Sequence, residues 1–191
     1  MEKSTKELIS EAAIDLFNEH GFEEVSVNEI IDVVGVSKRT FYYHFKSKEE
    51  ILEEFYKMPA EITVSMLAIM LGKKSNVDKL LALYRPRIEH FTKVGHNISR
   101  QIIISNLQDN KGTFRHTKQV REKIRDIEVD LIKKAQEANE ITNQGDAGNL
   151  SDILIKNMMG HIIMCVIEES DIDNLIPKIE KDAKIILGVK V

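Results

Sequence analysis

Between Ser37 and Lys48 the chain reads SKRTFYYHFKSK, so Lys38, Arg39, Thr40, Tyr42, Tyr43, His44 and Lys48 gather cationic, hydroxyl and aromatic groups with no acid among them. These types share one chemistry, the recognition of duplex nucleic acid. Lys and Arg suit guanine O6 and N7, and Thr suits a thymine methyl or a polar base edge. Tyr42, Tyr43, His44 and Lys48 suit phosphate oxygens, contacts that fix register without reading sequence. No Gly-rich phosphate loop, HExxH or GxSxG motif occurs in the chain, so an enzyme reading has no residues to stand on.

Such groups need a short rigid element to carry them. Ser37 can cap a helix in which Phe41 and Phe45, four apart, face the core and leave Lys38, Arg39, Thr40, Tyr42, Tyr43 and His44 outside. Upstream, Ser26 and Glu29 form a capping box, and Val27, Ile30, Ile31 and Val34 come next at the spacing of one buried helical face. Gly35 then supplies the positive φ that ends this helix and turns the chain. Ser26 and Asn28 open the helix and, with Ser37 before the next one, are candidates to contact the DNA, with a plain capping role as the alternative for Ser26. A first helix is expected from Ser4 to His20, capped by Ser4 with Glu7, with Ile9, Ala12, Ala13, Leu16 and Phe17 as its buried stripe. Ser47 with Glu50 is a further capping box; it puts Lys48 in the first turn of the next helix, where free N–H groups also favour a phosphate.

The 191 residues are 42% hydrophobic and 30% charged, which suits one compact domain or two small ones. A net charge of −4 argues, taken alone, against nucleic acid. The acids, however, crowd the first helix and the loop after it, whereas Lys38, Arg39, Lys46 and Lys48 stand together. Salt screens distant charge beyond about 8–10 Å, so the local edge decides phosphate contact. The single cysteine, Cys165, excludes an internal disulfide and fits a reducing cytosol. MEKSTKE has no apolar core of a signal peptide, and the apolar run Met158–Ile167 contains His161 and is too short to span a bilayer. No membrane and no cofactor are expected.

Beyond Ser47 the pattern stays helical. A break is expected at Pro59, then an apolar segment from Ile62 to Leu71. A helix from Val77 to Phe91 is interrupted by Pro86, and another runs from Asn97 to Leu107. A long amphipathic stretch covers Phe114 to Asn139, and NQGDAGN forms a loop. Leu150–Glu169 is apolar nearly all round and needs partners on more than one face, whereas Asp171–Leu187 has a one-sided stripe. The economical solution is a second copy of the chain, with Ile155, Met159, Ile162, Val166, Leu175 and Ile179 as candidates for the seam. Two-fold symmetry also suits the reading task, because one short helix contacts only a few base pairs and two of them select a palindromic site. The fold class is therefore all-α, divided into a three-helix module over 1–47 and a helical domain over 48–191.

The stretch from Lys6 to Phe55, with AAIDLFNEHGFEEVSV and then IIDVVGVSKRTFYYHFKSKEEIL, resembles the DNA-binding domain of the tetracycline-repressor (TetR) family of bacterial transcriptional regulators. The resemblance implies a cytoplasmic, homodimeric, sequence-specific DNA-binding regulator that leaves a palindromic operator when a small molecule binds its C-terminal domain. It also implies that Lys38, Arg39 and Thr40 contact bases, and that the last two long helices pair with their symmetry mates. Many members carry an apolar residue or Pro where Arg39 stands, so base preference stays open. An effector pocket for a partly apolar ligand has Met66, Tyr84, Arg87, Met158 and His161 as its candidates, although a Met at helical spacing belongs to a core more often than to a pocket. Asn157 and His161 share one helical face and fit either a satisfied core pair or a hydrogen bond across a seam. The alternative is a DNA-binding regulator without a small-molecule ligand, controlled by a protein partner or by its expression level.

Overall fold

The computed structural model describes residues 3–56, 70–93, 95–108 and 118–189. Among these the secondary structure is helical, with one isolated antiparallel bridge between Ile141 and Val189. In chain order the helices are α1 (Thr5–His20), α2 (Val27–Val34), α3 (Lys38–His44), α4 (Lys48–Tyr56), α5 (Asn76–Lys93), α6 (Gly95–Gln108), α7 (Lys118–Glu137), α8 (Ala147–Glu168) and α9 (Leu175–Leu187), the last preceded by a 3-10 turn at Ile172–Asn174. They form two compact units, one of α1–α4 with α6, the other of α5 with α7–α9. The break expected at Pro59, and residues 62–69 with Met66, lie outside the described residues.

In the first unit the capping boxes form as the sequence implies. Ser4 Oγ accepts from Glu7 N while Ser4 N donates to the Glu7 carboxylate at 2.7 Å, and Ser26 and Glu29 repeat the exchange at the start of α2. Gly35 closes α2 at φ 74°. The cap before α4 differs from expectation, because the Glu50 carboxylate accepts from Lys46 N–H and not from Ser47. One core joins these helices, with Ile9, Ala13, Ile14 and Phe17 of α1, Ile30, Phe41, Phe45, and Ile51 and Leu52 of α4. Ile14 replaces Ala12 in the α1 stripe, and Leu16 is only partly buried. Ile98 and Ile102 of α6 complete the same core, so this unit extends past residue 47 and takes in a helix that the expected division placed in the other domain. Side-chain hydrogen bonds reinforce this docking: Asn97 Nδ2 donates to the Asn18 carbonyl at 2.9 Å.

In the second unit each helix packs on two others: α5 on α7 and α9, and α8 on α7 and α9. α5 runs unbroken through Pro86, where the sequence suggests an interruption. Glu140 seats the other end of α5, accepting from Asn76 Nδ2 at 2.9 Å and Val77 N at 3.0 Å, which satisfies donors that a helix start leaves open. Leu175, Ile179, Ala183 and Leu187 recur every four residues on the buried side of α9. α8 buries Leu150, Leu154, Met158, Ile162 and Val166 and leaves Ile153, Met164 and Ile167 exposed. By length and composition α8 could cross a bilayer, which the short run Met158–Ile167 does not suggest; its buried face against α7 and α9 is that of a core helix.

An ion pair lies among these helices. Arg87 Nη1 donates to Glu128 Oε1 at 3.1 Å, with the side chains only 11% and 3% exposed, and Ser151 Oγ donates to Glu128 Oε2 at 2.9 Å. Burial holds the Glu128 carboxyl above its ordinary range, and the Arg87 charge offsets only part of that. The folded unit therefore binds this proton more readily than the unfolded chain does. The contribution of Glu128 to stability is fullest below the ordinary carboxylate pKa and falls as pH rises through the raised value. Replacing Glu128 by Leu strands the Arg87 charge and is expected to destabilise the fold by about 3–5 kcal/mol, whereas the double variant R87M/E128L recovers most of that loss. Urea melts of both variants and the parent check this, and they should also show the pH-dependent slope flattened in the double variant.

Candidate nucleic-acid interface

α3 has seven residues, too few to hold a helix by backbone bonds alone. Ser37 Oγ accepts from Thr40 N at 3.0 Å and so satisfies one N-terminal donor. Phe41 and Phe45 have no appreciable exposure and lie 6.1 Å apart, which fixes the rotation of the helix about its axis. With that rotation set, Lys38 and Arg39 are exposed, Tyr42 is 48% exposed and Tyr43 is 84% exposed. Tyr42 leans edge-on against Phe41 and His44 against Tyr43, so these rings are partly pre-positioned. An exposed row of cation and phenol on a two-turn helix, with the half-buried imidazole of His44 beside it, has the right reach and donors for a major groove.

The remaining site residues fall in different places. Thr40 is half-buried and its hydroxyl shares a 2.8 Å hydrogen bond with Ser37 Oγ, which orients both hydroxyls at the start of α3. Ser26 is engaged in its capping box, and Asn28 lies in the first turn of α2. Lys48 departs from the phosphate role expected of it. Its Nζ donates to the carbonyls of Phe22 at 2.6 Å, Glu23 at 3.2 Å and Val25 at 3.0 Å, and it sits 4.5 Å from the Phe22 ring centroid. An ammonium has three protons, so these acceptors occupy all of them. Lys48 thus ties the start of α4 to the loop between α1 and α2. Lys46, by contrast, is exposed and shares a shallow depression with Tyr42. In the sequence Lys46 counts only as local charge; its place two residues after α3 is the signal that marks it as a contact.

In the second unit, the pocket candidates do not converge. Tyr84 and Met158 are core residues, with the Arg87 guanidinium 5.6 Å from the Tyr84 ring. His161 Nε2 and Asp182 Oδ2 are 2.8 Å apart, so a partner on α9 satisfies His161 within the chain. Arg87 lines a cavity together with Arg121 and Arg125 of α7, which the sequence pattern does not single out, whereas Tyr84 lines a separate narrow crevice with Leu154 and Ile179. Among the seam candidates, Ile162, Val166, Leu175 and Ile179 are each 3% exposed. They belong to the core of their own chain and cannot face a second copy; Ile155 and Met159 are half-buried.

Comparisons with known proteins agree with this geometry. Residues 9–55 match the family model of bacterial regulatory proteins, tetR family. The TetC protein of transposon Tn10 from Escherichia coli is 42% identical over 55 residues, 29% of this chain and 28% of that protein. The IcaR negative transcriptional regulator of the biofilm operon icaADBC from Staphylococcus aureus is 34% identical over 80 residues, 42% of each chain. Matched stretches thus span half or less of the length of the curated relatives. The fold matches at full length: the fatty acid degradation regulator FadR from Bacillus halodurans superposes with a TM-score of 0.69 at 16% identity, covering 98% of this chain and 96% of that one. Residues 9–55 are thus similar to the DNA-binding domain of the tetR family of bacterial regulatory proteins, and the fold of the chain is that of solved tetR-family structures.

The Lys48 clamp makes a definite prediction. Lys48→Met keeps the stem but leaves three carbonyls without their donor, and is expected to cost about 1–3 kcal/mol in urea melts. An unchanged melt would show that the three hydrogen bonds contribute nothing net.

Proposed function

We propose that the protein is a cytoplasmic, homodimeric transcriptional repressor that binds a palindromic operator and leaves it when a small molecule occupies its second unit. The observation that carries the DNA part is the face of α3, where Lys38, Arg39 and Tyr43 are exposed while Phe41 and Phe45 hold the helix to the core. Lys38 and Arg39 read base edges, with Thr40 at the start of the helix. Tyr42, Tyr43, His44 and Lys46 contact phosphates and set register.

The homodimer is supported by α8. Ile153, Met164 and Ile167 remain exposed on it, with Gly160 in the same row, and an apolar row of this kind favours burial against a second copy. The sign of regulation is supported by IcaR, whose name makes it a negative regulator, and the effector by a structure of FadR from Thermus thermophilus in complex with lauroyl-CoA. That structure superposes with a TM-score of 0.63 at 19% identity, covering 97% of this chain and 95% of that one. In the proposed mechanism the ligand favours a state in which α4 is displaced. Because Lys48 fastens α4 to the loop between α1 and α2, the reading helix moves with it and the two half-sites no longer fit.

Base reading and phosphate contact are separable in a binding titration. Lys38→Ala is expected to relax preference at one base position and to cost about 1–3 kcal/mol on the best site. Lys46→Ala is expected to weaken all sequences alike and to lower the salt slope by about one phosphate. Identical behaviour of the two variants would remove the assignment of α3 to base reading.

A further inference from the structure

The side chains of α3 do not all stand equally toward solvent. Phe41 is fully buried and so marks the core-facing line of the helix. At 3.6 residues per turn, Arg39 and Tyr43 each stand about 160° from that line, Thr40 and Tyr42 about 100°, and Lys38 and His44 about 60°. Exposure of the rings follows the same order: Tyr43 is 84% exposed, Tyr42 is 48% exposed, and His44 is half-buried. The stripe formed by Arg39 and Tyr43 therefore points straight away from the core. A helix laid in a major groove turns such a stripe to the base edges and its flanks to the phosphate rims.

The polar groups near this stripe differ in what remains free on them. The Thr40 hydroxyl is engaged with Ser37 Oγ at 2.8 Å, and the Lys48 ammonium is held by three carbonyls. Among the described residues, no hydrogen bond or ion pair occupies the Arg39 guanidinium, and no acid stands between Ser37 and Lys48 to draw it aside. A guanidinium is planar, donates only, and presents its donors as a fork. In the major groove guanine alone shows two acceptors side by side, O6 and N7. Adenine sets a donor beside its N7, thymine a methyl beside its O4, and cytosine shows a donor. The Arg39 fork thus finds two acceptors on guanine and on no other base. Lys38 differs: it brings a compact ammonium from the flank on a flexible stem, which does not demand two acceptors at fixed spacing.

We propose that Arg39 is a specificity-determining residue that requires a guanine at one position of each half-site, read through O6 and N7, an assignment that rests on the reading of α3 as the DNA-facing helix. Thr40 adds no hydroxyl contact of its own, because that group stays with Ser37. The Arg39 side chain takes no part in the core, so replacing it alters the base read and leaves the fold intact.

Selection of bound duplexes from a random pool, run in parallel on the unaltered chain and on Arg39→Gln, tests this. The unaltered chain should select a guanine at the same position of both half-sites. Arg39→Gln should select adenine there, the base whose N6 and N7 suit a carboxamide, and keep its preference elsewhere. Titration of the selected duplex gives a second readout. Replacing that guanine by 7-deazaguanine, which keeps its base pair and lacks the N7 acceptor, should weaken the unaltered chain by about tenfold or more and leave Arg39→Ala unaffected. A selected site with no guanine common to both half-sites overturns the proposal. So does an unchanged preference in Arg39→Gln, or equal affinity for the 7-deazaguanine duplex. In those cases sequence selection itself survives, and only the Arg39 assignment is lost. A chain that selects no sequence loses the assignment together with the reading of α3.

Discussion

Burial of Phe41 and Phe45 is the interaction on which the DNA-facing surface depends. A helix of seven residues gains too few backbone hydrogen bonds to offset the entropy of ordering it, so its stability must come from packing. Two rings four residues apart do more than add apolar area. They fix one rotation of the helix, and every polar group between them is aimed as a result. Tyr43 is almost fully exposed because Phe41 and Phe45 are not.

A second constraint links that surface to α4. The Lys48 ammonium gathers three carbonyls from the loop between α1 and α2 and rests on the Phe22 ring. Phe22 in turn packs edge-on against Phe17 of α1 at 4.9 Å. One cation thus connects the N-terminus of α4 to the loop and, through two rings, to the core of the first helix. The unit behaves as one piece, and α6 belongs to it because Ile98 and Ile102 fill the same core.

Much of this is legible in the residues. Local signals suffice for the helix ends: Ser4 with Glu7, Ser26 with Glu29, Gly35 and Ser37 all sit within a few residues of the groups they serve, and each ends or starts the helix its spacing implies. The features that sequence pattern hides depend on partners distant in the chain. Lys48 resembles a phosphate contact because its partners are backbone carbonyls more than 20 residues away, which carry no side-chain signature. Arg121 and Arg125 are hidden because a polar face of α7 looks solvated until Arg87 arrives from another helix. The composition of α8 shows that it needs partners on two sides, but periodicity alone does not say which side its own chain covers. Val166 and Ile162 turn inward, leaving Ile153 and Ile167 outside.

If α3 reads duplex DNA as one of a symmetric pair, selection of bound duplexes from a random pool by the purified protein is the most direct test. The expected result is enrichment of a two-fold symmetric site whose half-sites are about 34 Å apart, one helical turn or a multiple of it. Failure to enrich any sequence at low salt, or enrichment of a site with no symmetry, would contradict the paired reading helix.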